Sequence, residues 1–186
     1  MNLVLIAVLV LVCAVLLILE SRGVRTTLNL QFKGDIKRES RWFAQYGQSA
    51  CTPVAVILVW QMDPRHLQAA LPIGVAVIST SASVMILKRL IGRVRPGREN
   101  AGKFLGPTLK HANYRESFPS SHTACAVALS AMLAHFYPAG APTFWTLAAI
   151  CGLLRYVLDA HWPSDIVGGT IAGYVLAEAT TMYFKV

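Results

Sequence analysis

The 186-residue sequence is short of charge: 14% of its residues are Asp, Glu, Lys or Arg, against 55% that are hydrophobic. That balance argues against a water-soluble domain of this size. Its four cysteines, Cys13, Cys51, Cys125 and Cys151, are scattered through apolar segments without CxxC spacing. They read as small buried hydrophobes and indicate neither a zinc site nor a disulfide framework. Carboxylates are few, and no cluster of them sits at metal-ligand spacing, so no metal or other cofactor is expected. Low-complexity tracts and internal repeats do not stand out. The length then suggests one domain over residues 1–186.

What is plentiful is apolar sequence and basic charge. The formal net charge is +8. In so apolar a chain its natural counterpart is anionic lipid, and nucleic acid is not expected as a partner. Leu3–Leu19 is an uninterrupted apolar run, about 26 Å long as a helix and close to the hydrocarbon thickness of a bilayer. The alternative, a signal-peptide core, lacks a basic leader, and the following Glu20-Ser-Arg-Gly-Val is a poor cleavage site. Glu20–Ser49 is polar and basic. Its partly helical apolar spacing predicts one or two short helices lying in the interface, with a solvated loop as the alternative around Lys33–Arg41. Further apolar segments follow at Ala50–Trp60, a short marginal span extended at most to Met62, and at Ala69–Leu87, Ser121–Pro138, Thr143–Asp159 and Ile166–Phe184. The fold expected is therefore all-α, an integral membrane six-helix bundle with an interfacial segment. Small residues at Ala124, Ala126, Ala128, Ser130, Ala131 and Ala134, and the Gly169-x3-Gly173 pair, suit close helix contacts.

The rest of the chain is organised around Arg155–Asp165, read RYVLDAHWPSD. Pro163 cannot continue a helix begun upstream but suits the first turn of a new one. The arginine, histidine and aspartate thus meet at a helix junction, and ionisable groups at membrane depth face a protein interior or a water-filled cavity. Two earlier stretches accompany it. Residues 88–96 hold Lys88 separated by six residues from Arg95-Pro96, and residues 119–122 hold Pro119-Ser120-Ser121-His122 at the start of an apolar run. Between them Arg89–Phe118 is the one long polar connection, expected as a rim or partial lid.

In this order the three parts resemble the type 2 phosphatidic acid phosphatase family, whose pocket is shared with vanadium haloperoxidases. The family pattern is Lys-x6-Arg-Pro, Pro-Ser-Gly-His and Ser-Arg-x5-His-x3-Asp. The chain matches it at Lys88, Arg95, Pro96, Pro119, Ser120, His122, Arg155, His161 and Asp165, and departs where Ser121 replaces glycine and Leu154 replaces serine. The resemblance implies that His161 attacks phosphorus to form a phosphohistidine while His122 protonates the leaving oxygen. Asp165 would orient the His161 ring. Lys88, Arg95 and Arg155 would hold phosphate oxygens, joined by Ser120 and Ser121 at a helix N-terminus. Ser121 fits only if its φ is negative, since glycine alone tolerates the left-handed region freely.

Taken singly, each residue has a plainer reading. His122 could be a helix-start residue, Lys88 and Arg95 headgroup anchors, and Arg155 with Asp165 a structural ion pair. Arg89, Arg93 and Arg98 fall outside the pattern and are assigned to headgroup or solvent contacts; His66, His111 and His135 match nothing, and Asp159 is assigned to capping or loop structure. The resulting expectation is a metal-independent membrane phosphatase acting on a lipid phosphate monoester or diphosphate. Phosphatidic acid, phosphatidylglycerol phosphate, a polyprenyl diphosphate and lipid A phosphate all stay open. The alternatives are a lipid phosphotransferase and a catalytically silent phospholipid-binding protein. Nothing in the sequence sets an oligomeric state. Sidedness pulls two ways. The first and third connections carry six and eight Lys/Arg, the latter counting Lys88, against Arg65 alone on the second and fourth; the positive-inside rule therefore points the site to the cytoplasm. The resemblance points to the extracytoplasmic face of a bacterial inner membrane, which is the expectation adopted.

Overall fold

The structure, a computed structural model, describes residues 1–28, 30, 34–48, 50–158 and 160–186, without the side chains of Ile36, Lys37 and Arg41. Phe32, Lys33, Ser49 and Asp159, named above, lie outside the described residues. Among the described residues the α-helices are α1 (Leu3–Ser21), α2 (Gly34–Phe43), α3 (Cys51–Met62), α4 (Leu67–Ile91), α5 (Ser121–Phe136), α6 (Ala141–Val157) and α7 (Pro163–Phe184). The chain is all-α, and the apolar runs of the sequence fall on α1 and α3 to α7. By length and composition, α1 and α4 are long and apolar enough to cross a membrane, whereas α3 and α5 are apolar but shorter. Among its described residues the basic segment contributes one short helix, α2, which packs on α6 and leaves Trp42 and Phe43 exposed.

The core forms around α5, which packs against α4, α6 and α7. Ala124, Ala126, Ala128 and Ser130 are fully buried there, small enough to let neighbouring backbones approach. Glycines on α7 make the closest of these contacts. A Cβ on Gly169 would lie 2.6 Å from the Ser120 carbonyl, and one on Gly173 2.2 Å from that of Ala124. The Gly169-x3-Gly173 spacing is thus a helix seam, and it seats the start of α5 against the start of α7. On the outside of the bundle α1 packs on α7 and buries only Cys13 and Glu20. Its remaining apolar surface faces outward.

The long connection after α4 is folded, not loose. Gly92 ends α4 with φ +63°, and a side chain there would meet the Gly106 carbonyl at 2.3 Å. An antiparallel bridge joins Arg93 to Phe104. Backbone hydrogen bonds from Val94 to Lys103, Leu105 to Gly92 and Ser117 to Arg93 hold the segment down over the end of α4.

Candidate active site

The Arg155–Asp165 stretch folds as its proline requires. α6 stops at Val157, and Pro163 opens α7 at a position where a missing N–H costs nothing. Asp165, in the first turn of α7, accepts the Trp162 N–H on Oδ2 at 2.9 Å, which fixes the approach of the chain to the helix. The Asp165 carbonyl accepts the Ser120 N–H at 2.9 Å, so the start of α5 is tied to the same junction. That bond occupies the Ser120 N–H, and the Ser120 hydroxyl in turn accepts from Thr123 Oγ1 at 3.0 Å. Ser121 is the first residue of α5 and is not among the positive-φ residues, so serine replaces glycine there without backbone strain. Leu154 precedes Arg155 on α6, and its carbonyl caps that helix through the Leu158 N–H.

Two of the expected cations converge on His161. Lys88, buried at the end of α4, donates from Nζ to the Glu116 carbonyl at 2.6 Å. Arg95 donates from Nε to the Asn113 carbonyl at 2.7 Å, from Nη1 to the Ala160 carbonyl at 2.8 Å, and from Nη1 to His161 Nε2 at 3.3 Å. Arg155 on α6 joins Lys88 and Arg95 within electrostatic reach of His122. All three motif segments therefore meet at one end of the bundle, under the wall made by the 92–117 connection.

His161 is 1% exposed. Burial pushes its pKa down to about 3, reinforced by the Lys88 and Arg95 charges and opposed by Asp165. The ring is therefore neutral near pH 7. Since guanidinium can only donate, Nε2 accepts from Arg95 and must carry the lone pair. The proton then belongs on Nδ1, which lies 3.4 Å from Asp165 Oδ2 without making a well-formed hydrogen bond.

The assignment of Arg93 to headgroup or solvent contacts is wrong. Its side chain is 1% exposed, and Nη1 donates to Asp165 Oδ1 at 2.6 Å and to Ser164 Oγ at 2.6 Å. Nη2 reaches Glu20 Oε2 at 2.7 Å, and the guanidinium lies 5.3 Å from both the Phe104 and Trp162 rings. Ser117 completes the arrangement by donating its hydroxyl to Asp165 Oδ2. Trp162 adds a bond from its indole N–H to the Val94 carbonyl at 3.0 Å. One signal for Arg93 was available in the sequence. In extended backbone, residues two apart share a face, so Arg93-x-Arg95 aims both guanidiniums at the 160–165 junction. Arg89 is half-buried, and Arg98 is exposed as expected. His111 pairs with Glu116 at 2.8 Å, at the outer edge of the 92–117 connection.

A lipid A 1-phosphatase of Rhizobium johnstonii is 35% identical over 101 residues, covering 53% of this chain and 41% of the relative. The chain thus spans less than half the length of that relative. A decaprenylphosphoryl-5-phosphoribose phosphatase of Mycolicibacterium smegmatis is 27% identical over 131 residues, covering 70% of this chain and 69% of the relative. Among crystal structures, Aquifex aeolicus LpxE superposes with a TM-score of 0.66 at 20% identity, over 82% of this chain and 88% of that one. The first transmembrane PAP2 type phosphatidylglycerolphosphate phosphatase from Bacillus subtilis gives 0.65 at 18% identity, over 97% and 96%. Those two likenesses establish the fold. The profile of the PAP2 superfamily matches residues 69–185, a span that holds all three motif segments, and the chain belongs to that superfamily.

Proposed function

We propose that the protein is an integral membrane phosphatase that removes phosphate from a lipid phosphate monoester or diphosphate through a phosphohistidine. In this reading α1 and α3 to α7 span the membrane, α2 lies in the interface, and the site opens at one face. The observation that carries the reading is the placement of His161: a buried imidazole with Nε2 3.3 Å from Arg95 Nη1 and its other nitrogen turned to the Asp165 carboxylate. A lone pair held within a cation cluster is what attack on an anionic phosphorus requires.

In the first step Nε2 attacks phosphorus, and the N–P bond forms as the P–O bond to the lipid breaks. His122 gives its proton to the departing oxygen. Lys88, Arg95 and Arg155 neutralise the equatorial oxygens, and the first-turn N–H groups of α5 add donors. Arg95, bonded to Nε2 in the substrate-free protein, exchanges that contact for a phosphate oxygen. Water then attacks phosphorus and passes a proton to His122, the N–P bond breaks, and Nε2 is regenerated. Asp165 keeps the proton on Nδ1 and stabilises the positive charge that the ring acquires. The protein supplies the positive charge itself, so no metal enters the scheme. A silent phospholipid binder would need the cations but not the orienting carboxylate.

The test is phosphate release from a panel of phosphatidic acid, phosphatidylglycerol phosphate, a polyprenyl diphosphate and lipid A, with and without EDTA. Acid-quench trapping of labelled enzyme runs in parallel. Turnover in EDTA, an acid-labile and base-stable phosphoenzyme, and loss of both in His161→Ala are expected; turnover by His161→Ala would sink the assignment. We further assign the site to the extracytoplasmic face of a bacterial inner membrane. Single cysteines at positions 103 and 65, in a background without the four native ones, test it. An impermeant maleimide on intact cells should label 103 and spare 65, and the reverse would put the site in the cytoplasm.

A further inference from the structure

Glu20 lies at the end of α1, outside the residues that match the superfamily and far in sequence from every motif. Yet its side chain is 1% exposed, as is that of Arg93, and Asp165 is fully buried beside them. Its Oε2 accepts Arg93 Nη2 at 2.7 Å and the Ser164 hydroxyl, and its Oε1 accepts the Ser164 N–H at 3.2 Å. A buried carboxylate this well satisfied, one residue from Asp165 through Ser164 and one guanidinium away through Arg93, is part of the catalytic end of the bundle. We propose that Glu20 is a positioning residue that acts through Arg93 on the Asp165–His161 pair.

This role, which rests on the function proposed above, is one of charge. Arg93 alone against Asp165 would neutralise the carboxylate and leave little to stabilise His161 as it becomes positive during attack. With Glu20 sharing the guanidinium, the trio of two carboxylates and one cation carries a net −1, and Asp165 keeps its pull on Nδ1–H. Geometry adds to this. Arg93 occupies Oδ1 of Asp165 at 2.6 Å, so the oxygen left facing His161 is Oδ2. Glu20 in turn holds the second arm of the guanidinium fork, so the plane of Arg93, and with it the carboxylate, cannot rotate freely. Lys88 and Arg95 direct their bonds to the Glu116, Asn113 and Ala160 carbonyls and to His161, away from Glu20. The effect should therefore appear in kcat and not in KM.

The net charge supplies a test that packing alone would not pass. Glu20→Gln takes the trio from −1 to 0, and the double variant Glu20→Gln/Arg93→Gln returns it to −1. Asp165 would still hold Ser117 and the Trp162 N–H in that double variant. Full-length variants in detergent are assayed on the lipid phosphate that the wild type hydrolyses fastest, with thermal unfolding measured alongside. Glu20→Gln should lower kcat about tenfold, the size of one pKa unit of lost stabilisation. KM should stay within about twofold, and the double variant should recover part of kcat. Glu20→Asp, which keeps the charge, should retain more turnover than Glu20→Gln, and it decides the matter if the double variant fails to fold. A wild-type kcat in Glu20→Gln overturns the proposal. So does a double variant slower than either single one, or equal losses in Glu20→Asp and Glu20→Gln. A parallel His161→Ala sample separates the two ideas. If it turns over, the phosphohistidine reading fails; if it is dead while Glu20→Gln is unimpaired, only the role of Glu20 fails.

Discussion

The two ends of α4 each carry an arginine–carboxylate cluster, and they are built differently. At the α3–α4 turn Asp63 takes Arg65 Nε and Nη2 at 2.9 and 2.7 Å, together with the Tyr137 hydroxyl at 2.5 Å. The charged partners are two residues apart, with Tyr137 reaching them from the end of α5, and the arginine side chain is 45% exposed, stacked on Phe136 and Tyr137. At the other end Arg93 meets Asp165 and Glu20 across more than seventy residues, with all three side chains excluded from water. Exposed pairs are weakened by solvent and salt, whereas removing one member of a buried set strands an uncompensated charge. The first cluster shapes a turn. The second holds three chain segments in register around His161.

The largest effect should come from cutting the buried cluster at its centre. Arg93→Met would leave Glu20 and Asp165 as neighbouring buried carboxylates without a cation. A loss of about 3–5 kcal/mol is expected. Thermal unfolding in detergent should show a large drop, and phosphate release should vanish with it. A variant that unfolds like the wild type would mean that water reaches the cluster, contrary to its burial.

Next comes Asp165→Asn, which keeps the shape and removes the charge. An amide can still accept from Arg93 or Trp162, but it can present its NH2 to His161 and favour the wrong tautomer. Turnover should fall about a hundredfold or more, with KM little changed because the cations proposed to hold phosphate, Lys88, Arg95 and Arg155, are intact. Steady-state kinetics on the preferred lipid phosphate decides this, and an unchanged kcat would remove Asp165 from the mechanism.

The same contrast explains what could be read from the sequence. Helix positions were legible because long apolar runs broken by proline and glycine leave few options, and Pro163 marked the α6–α7 junction to within a few residues. The three motif parts were legible because the spacing of their residues is short and fixed. Arg93 was legible only in its spacing from Arg95, because its partners depend on the fold of the connection that Gly92 and the Arg93–Phe104 bridge create. Glu20 was hidden further, since nothing local distinguishes a charge ending a membrane helix from one that docks on α7. The Ser120 bond was not legible either, because no sequence pattern shows that its N–H is taken by the Asp165 carbonyl.

A smaller effect should appear in the pH dependence of stability. The folded-state pKa of His161 is lowered from 6.5 to about 3, so between these values the unfolded chain binds a proton that the folded one does not. Stability therefore falls as pH drops through this window, by up to about 1.4 kcal/mol per unit from this residue. Asp63 acts in the same direction but lower: Arg65 and Tyr137 hold its pKa below 3.8, so its contribution is present above that value and lost beneath it. Unfolding midpoints measured from pH 7 to pH 4 should decline less steeply in His161→Gln than in the wild type. Equal slopes would mean that the buried imidazole titrates like an exposed one.

The smallest effect is expected at the far turn. Asp63→Asn removes the charge that Arg65 faces but leaves a carbonyl oxygen for the Arg65 N–H, which now sits 2.7 Å from Oδ1. Arg65 is open to water and loses little when its partner becomes neutral, and Tyr137 can accept from the new amide. From Leu67 to Lys88 the axis of α4 runs about 30 Å, too far for this charge to act directly on His161. Turnover should stay within about twofold of the wild type, a change too small to count as a coupling between sites, and the unfolding midpoint should move slightly and more at low salt than at high. A tenfold loss of turnover with a normal melt would show that α4 and α5 transmit the state of the turn to the site. The separation between a structural end and a catalytic end would then fail.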